Sequence, residues 1–125
     1  MLIDWWSHTS VRVAVAILFV GAGVLHFVRP RAYVAIVPRG LPHPAALVAI
    51  SGIAEIAGGI GLVLAPVRAA AGSGLIILLI AVFPANVQML LNAGARGAPR
   101  WVRVVLWLRL PLQPVLAACV WWAMR

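Results

Sequence analysis

Six polar side chains interrupt otherwise apolar segments, and their types suit hydrogen bonding and proton transfer to a small molecule. They are an imidazole, a phenol, a carboxylic acid, two carboxamides and a guanidinium: His26, Tyr33, Glu55, Asn86, Arg109 and Gln113. Glu55 is one of two acidic residues in the chain and lies within the glycine-rich run SGIAEIAGGIGLVLAP. Ionisable side chains are costly inside a membrane and are usually functional there. We therefore predict that these six residues bind a ligand.

The same groups also have structural interpretations. A pair formed by Glu55 and Arg109 can fix the register of membrane helices, and Asn or Gln side chains often hydrogen-bond a neighbouring helix. His26 can be a solvated polar contact near a helix end. Glu55 stays ionised if Arg109 reaches it, whereas burial without such a partner favours the neutral acid. The residue types alone leave these alternatives open.

The composition indicates a membrane protein. Hydrophobic residues make up 65% of the 125 residues, whereas a soluble domain is usually about half apolar. Four apolar runs are long enough to cross a bilayer, and they should be helices because a spanning backbone must satisfy its own hydrogen bonds. The sequence predicts an all-α fold, a single integral membrane four-helix bundle over residues 1–125 with spans at about 11–28, 45–64, 69–92 and 103–124.

The net charge of +8 does not indicate nucleic-acid binding, because the arginines lie at the ends of apolar runs and not in one patch. Cytoplasmic loops favour Arg and Lys, so the distribution of arginines predicts that both termini lie outside. The first and third loops hold Arg29, Arg31, Arg39, Arg96, Arg100 and Arg103. The terminal face holds Arg12, Arg68 and Arg125.

Residues near the ends of the spans support an even number of crossings. Trp prefers the headgroup level, and four crossings bring Trp5 and Trp6 to the same face as Trp121 and Trp122. The first run follows Asp4, without a basic segment before it or a small-residue cleavage site after it. We therefore expect a retained span and not a signal peptide.

The first loop is predicted to contain a short interfacial helix, because Tyr33, Ile36 and Val37 have the spacing of one helical face. The stretch VPRGLPHP after it is too rich in proline for helix and is expected to form a rigid lid or turn over the mouth of the bundle.

The polar residues converge in depth. At about 1.5 Å per residue, His26, Glu55, Asn86, Arg109 and Gln113 fall in the bilayer half nearer the first and third loops. Pro84, Pro111 and Pro114 free backbone carbonyls in the same region. We predict a polar pocket that opens toward the Tyr33 loop, with Arg109 available to Glu55.

Four stretches resemble the DoxX family, in particular its short bacterial members: GVLHFVRPRAYVAIVP, SGIAEIAGGIGLVL, LLIAVFPANVQM and RLPLQPVL. The resemblance implies a four-helix membrane protein whose family pattern includes His26, Pro30, Tyr33, Glu55, Pro84, Asn86, Arg109 and Gln113. That family takes its name from a small subunit of a thiosulfate:quinone oxidoreductase. Other members are linked with oxidative-stress complexes, and animal relatives act as assembly factors for membrane receptors.

These implications favour an accessory subunit of the bacterial inner membrane that binds a quinone-like or amphipathic molecule in a redox complex. A quinone is the candidate cofactor. No metal site and no complete catalytic or redox-cofactor ligand set is expected, so the chain would be at most a subunit of an oxidoreductase. The alternative is an assembly factor that recognises other membrane proteins, or a second copy of itself, through its helix faces.

Overall fold

A computed structural model describes residues 8–38 and 40–125. Four long helices in this part of the chain are apolar enough to cross a membrane. They are α1 (His8–Val28), α3 (Pro44–Val63), α4 (Arg68–Ala95) and α5 (Arg100–Ala123), and the short helix α2 (Pro30–Val34) lies between α1 and α3. The prediction of an all-α four-helix membrane bundle with a short helix in its first loop is confirmed.

The four long helices stand at the corners of a square. Helix α3 packs against α1 and α4, and helix α5 packs against the same two helices. Helices α3 and α5 therefore occupy opposite corners. This order of helices decides which polar side chains can meet.

The closest helix pair is α1 with α3, where glycines allow the backbones to approach. A Cβ atom added at Gly23 would lie 2.7 Å from the carbonyl oxygen of Gly52. A Cβ atom at Gly59 would lie 3.0 Å from the carbonyl oxygen of Ala16. Small residues commonly mediate such contacts between membrane helices, where van der Waals packing provides much of the association free energy.

A small apolar cluster of Ala93, Ala98 and Leu106 lies near the third loop. The larger apolar core lies in the half of the bundle where α1 begins and α5 ends. It consists of Val15, Phe19, Leu62, Leu75, Leu79 and Val120. Gly61 and Gly72 extend the close packing in this half, because their Cβ positions would meet Ala71 and Met124. We call this region the closed half.

The first loop differs from its prediction in one detail. Helix α2 has Pro30 in its first turn, a position that proline favours, but it ends at Val34, so Ile36 and Val37 lie in the turn that follows. Their N–H groups donate to the carbonyls three residues earlier. The reason is Pro38, which disfavours helical geometry at the residue before it.

Some residues used in the sequence predictions lie outside the described residues. They are Asp4, Trp5 and Trp6, which concern the signal peptide and the aromatic belt, and Arg39, which entered the arginine count. Trp121 and Trp122 are exposed near the end of α5. The orientation of the termini stays a prediction.

Candidate functional site

A cavity of about 690 Å³ lies in the half of the bundle nearer the first and third loops. All five helices contribute to its wall, and we call this region the open half. Its lining includes every residue predicted from the sequence to bind a ligand: His26, Tyr33, Glu55, Asn86, Arg109 and Gln113. The structure thus brings the six side chains together, and their binding of a ligand stays a prediction.

The partner of Glu55 differs from the expected one. Its Oε2 atom lies 3.2 Å from Nδ1 of His26, and the two side chains are only 13% and 10% exposed. Arg109 instead donates from Nη1 to the Sδ atom of Met89, at 3.4 Å. The expectation failed because Glu55 and Arg109 lie on α3 and α5, at opposite corners of the bundle, with the cavity between them.

His26 is held by its own helix as well as by its contact with the acid. Its Nδ1 atom lies 2.8 Å from the carbonyl oxygen of Ala22. Because a carbonyl oxygen can only accept, Nδ1 carries a hydrogen in this contact. The Oε2 atom of Glu55 is buried and accepts no hydrogen bond from the described residues. The contact between His26 and Glu55 is therefore an electrostatic one without hydrogen-bond alignment.

Tyr33 connects helix α2 to this pair. Its ring stacks on the His26 ring with centroids 3.9 Å apart and an interplanar angle of 23°. Burial raises the pKa of the Tyr33 phenol, the charge of Glu55 raises this pKa further, and the charge of Arg109 lowers it. Since the usual pKa is already about 10, the phenol is neutral at pH 7 and can donate a hydrogen bond.

Gln113 contributes a second polar group that lacks a partner. The residue is 8% exposed, and its Oε1 atom is buried without a hydrogen bond in the described part of the chain. Buried polar atoms are nearly always hydrogen-bonded in folded proteins. Glu55 and Gln113, which line the cavity from opposite corners of the bundle, therefore each have one buried oxygen atom without a hydrogen-bond partner among the described residues.

Most of the remaining lining is apolar, including Leu18, Leu25, Leu47, Leu78 and Leu112. Small-molecule sites in proteins typically combine a large apolar wall with a few polar groups that fix orientation. Sequence reasoning missed Ser51 and Arg29, which also line the cavity. Ser51 could have been found, because it precedes Glu55 by four residues and so shares its helix face.

The loop that follows α2 covers one side of the cavity through Ile36, Val37, Pro38 and Leu41. Asn92 donates from Nδ2 to the carbonyl oxygen of Ala35, at 2.9 Å. Gln88 in turn donates from Nε2 to Oδ1 of Asn92, also at 2.9 Å. This two-step connection, which the sequence analysis missed, fastens to α4 the turn that leads from α2 into the predicted lid.

The described residues contain no group of three or more His, Cys, Asp or Glu side chains that could hold a metal ion. The polar residues of the lining can provide hydrogen bonding, charge stabilisation and proton transfer.

Comparison with known families gave one result. Residues 15–124 match the model of a family described as a domain of unknown function, DUF8561. The match covers α1 from Val15 onward and all of α2 to α5. No curated protein matches the chain, and no solved structure does so. The resemblance to the DoxX family accordingly stays a prediction.

Proposed function

The chain belongs to the DUF8561 family, and from that premise we propose that it is an accessory membrane protein whose cavity binds a quinone-like amphipathic molecule within a redox complex. One observation carries the proposal. Six polar side chains from five helices line a single cavity of about 690 Å³ whose other walls are mostly apolar. Both its volume and its composition are typical of small-ligand sites.

The arrangement of the wall suggests how such a ligand would lie. Arg109, Asn86 and Gln113 have N–H groups that can donate to oxygen atoms on the ligand. The apolar part of the ligand would lie against the leucines of the wall. Phe19 and Leu79 belong both to the lining and to the apolar core, so the closed half forms the floor of the site.

Glu55 and His26 are proposed to relay protons, which requires the His26 ring to turn from the carbonyl of Ala22 so that its Nδ1 atom can hydrogen-bond the acid. Reduction of a quinone to a quinol takes up two electrons and two protons, and a partner subunit would supply the electrons. The acid faces the cavity, and His26 stacks on Tyr33 at the base of the lid. This order provides a route from the ligand toward the face that bears the first and third loops.

We also propose that the protein resides in the inner membrane of a bacterium with both termini outside. The support is the excess of arginine in the first and third loops. The test is a pair of fusions at the C-terminus, one reporter that works only in the cytoplasm and one that works only outside it. Activity of the cytoplasmic reporter would reverse the orientation and with it the direction of the proton route.

The binding proposal is tested by thermal unfolding of the purified protein with a short-chain quinone, its quinol, and an alcohol that has the same tail. Ala85→Leu fills the cavity, because Ala85 lines it. Ala70→Leu is the matched control on the same helix, since Ala70 is exposed. A ligand that binds only the folded state stabilises it by about 2.7 kcal/mol at one hundred times its Kd.

We expect the quinone or the quinol to raise the melting temperature of the wild type and of Ala70→Leu by several degrees. Ala85→Leu should show no such response, and Glu55→Gln should show a reduced one. The proposal fails if neither head group stabilises the wild type more than the alcohol does, or if Ala85→Leu responds like the control.

An assembly factor remains the alternative, and one observation favours it. Gly21 and Gly74 are exposed, and open space lies where their Cβ atoms would be. Such positions allow a second membrane helix to approach closely. If this alternative holds, Gly74→Leu should reduce crosslinking to partner spans in native membranes, whereas Ala85→Leu should leave it intact. If the ligand proposal holds, Ala85→Leu should abolish the stabilisation by quinone in the thermal assay, whereas Gly74→Leu should leave it intact.

A further inference from the structure

Two arginines at the terminal face, remote from the cavity, are held in place by the ends of neighbouring helices. Arg12 donates from Nε to the carbonyl oxygen of Ala123, the last residue of α5, at 2.9 Å. Arg68 donates from Nε to the carbonyl oxygen of Leu62, in the last turn of α3, at 2.7 Å. Carbonyls at helix C-termini lack intrahelical partners and favour nearby cations. Each guanidinium is thereby fixed through one of its five N–H groups.

The other N–H groups of these two arginines have no acceptor within residues 8–38 and 40–125. Glu55 is the only acidic residue in that part of the chain, and it lies in the open half. Both arginines are held beside the first turns of α4, because Met124, the residue after Ala123, packs on Gly72, one turn after Arg68. Two like charges held together by separate anchors create a local positive potential that a bound anion would relieve.

We propose that Arg12 and Arg68 form a binding site for an anionic phosphate group, supplied by the headgroup of an acidic phospholipid. Guanidinium groups bind phosphate oxygens through pairs of parallel N–H donors. Helix α4 begins at Arg68, whose own N–H donates to the carbonyl of Ala65 in the preceding turn. The positive end of the dipole of α4 adds to the potential at this point.

The surroundings match the level of lipid headgroups. His8 stacks on Trp122, with ring centroids 4.1 Å apart. The guanidinium carbon of Arg125 lies 5.6 Å from the centroid of the Trp121 ring. Tryptophan is enriched where the acyl region meets the headgroups. The two arginines thus lie where a phosphodiester of the bilayer is available.

The competing explanation is that Arg12 and Arg68 only cap helix ends, a role that requires fewer donors than a phosphate site does. A cap needs one donor per side chain, which glutamine also provides. A phosphate site needs both charges and their remaining N–H groups. The double variant Arg12→Gln/Arg68→Gln therefore separates the two roles. The matched control is Arg100→Gln/Arg103→Gln, which removes two exposed charges from the opposite face.

The experiment is native mass spectrometry of the full chain, released from detergent that contains equal amounts of phosphatidylglycerol and phosphatidylcholine with identical tails. We expect the wild type and the control variant to retain one phosphatidylglycerol in preference to phosphatidylcholine. The Arg12→Gln/Arg68→Gln variant should lose this preference by about tenfold or more, because hydrogen bonds between charged groups are lost. Equal retention of both lipids by the wild type, or undiminished preference in the double variant, would overturn the proposal.

Two further measurements keep the test decisive. If the double variant fails to fold, titration of the wild type with phosphatidylglycerol at rising salt still applies, since binding of charge must weaken with ionic strength. Salt-independent retention would contradict the site. The second measurement is competition with inorganic phosphate. Displacement of phosphatidylglycerol by millimolar phosphate would support a site that recognises the phosphate group, and it would show that soluble phosphate competes with the lipid.

Discussion

The closed half and the open half of the bundle are made by the same four long helices, yet the space between the helices differs. In the closed half, Leu62, Leu75 and Val120 are almost completely buried, and the core contains no polar side chain. In the open half, the same helices surround a cavity lined by an acid, an imidazole, amides and guanidinium groups. The bundle thus separates the part that packs from the part that can hold a ligand.

The residue types explain the difference. Small residues allow close contacts in both halves, since Gly61 faces Ala71 in the closed half and Gly23 faces Gly52 beside His26 in the open half. In the open half, α4 contains Pro84, and α5 contains Pro111 and Pro114. A proline inside a helix removes a backbone hydrogen bond, and the freed carbonyl is tolerated at membrane depth where protein, water or ligand can satisfy it. The proline-containing segments of α4 and α5 therefore line the cavity, whereas α1 and α3 pack closely in both halves.

The largest effect is expected at the seam between α1 and α3. Gly23→Leu places a side chain against the backbone of Gly52 and should lower the free energy of unfolding by about 3 kcal/mol, the upper part of the range for overpacking. Gly21→Leu, two residues earlier on α1, enters open space and should change it by less than about 1 kcal/mol. Reversible unfolding in mixed micelles measures both, and equal losses would mean that the seam is not closely packed.

A second pair of variants compares the two halves directly. Leu75 is 1% exposed within the core, whereas Leu78, on the same helix, lines the cavity. Leu75→Ala should destabilise the protein by about 2 kcal/mol or more, since it leaves a void in a packed region. Leu78→Ala should cost less than about 1 kcal/mol because it enlarges an existing space. If Leu78→Ala costs as much, the open half is packed as tightly as the closed one.

A third pair makes the same change, glutamine to leucine, at two positions where we expect different effects on stability. Gln113→Leu removes a buried oxygen that has no partner and should leave stability unchanged or raise it by about 1 kcal/mol. Gln88→Leu removes the hydrogen bond to Asn92 and should lower stability by about 1 kcal/mol. Losses of the same size in both variants would show that Gln113 is satisfied in the folded protein.

The smallest effect concerns the lid. Asn92→Ala frees the carbonyl of Ala35 and also removes the bond from Gln88. The cost beyond that of Gln88→Leu, which reports the exposed bond to Ala35, should be about 0.5–1 kcal/mol. Amide hydrogen exchange over residues 35–38 should become faster, while exchange in the closed half should not change. Unaltered exchange in the loop would show that the bond to Ala35 does not restrain the lid.

Much of this architecture could be predicted because it depends on distance along a helix. The depth of Glu55, Asn86 and Gln113 follows from residue number and helix rise, and these residues do line one cavity. The partner of Glu55 could not be derived in this way. Lateral position depends on the order of the helices around the bundle, which placed His26 and not Arg109 beside the acid.

The anchoring of Arg12 and Arg68 escaped prediction for a similar reason. Each bonds to the end of a helix that is remote in sequence or separated by a turn, so hydropathy alone identifies only an arginine near a membrane face. The link between Gln88 and Asn92 was accessible, since two amides four residues apart share a helix face. Their contact with the first loop was not.

The central claim, that the cavity holds an amphipathic small molecule, is tested most directly by photocrosslinking with an azido-quinone and mapping of the labelled peptides. The account predicts adducts on cavity-lining residues such as Leu47, Ser51 and Leu112, preserved in Ala70→Leu and lost in Ala85→Leu. Adducts on exposed residues such as Ile77 and Trp107, unchanged by Ala85→Leu, would contradict it.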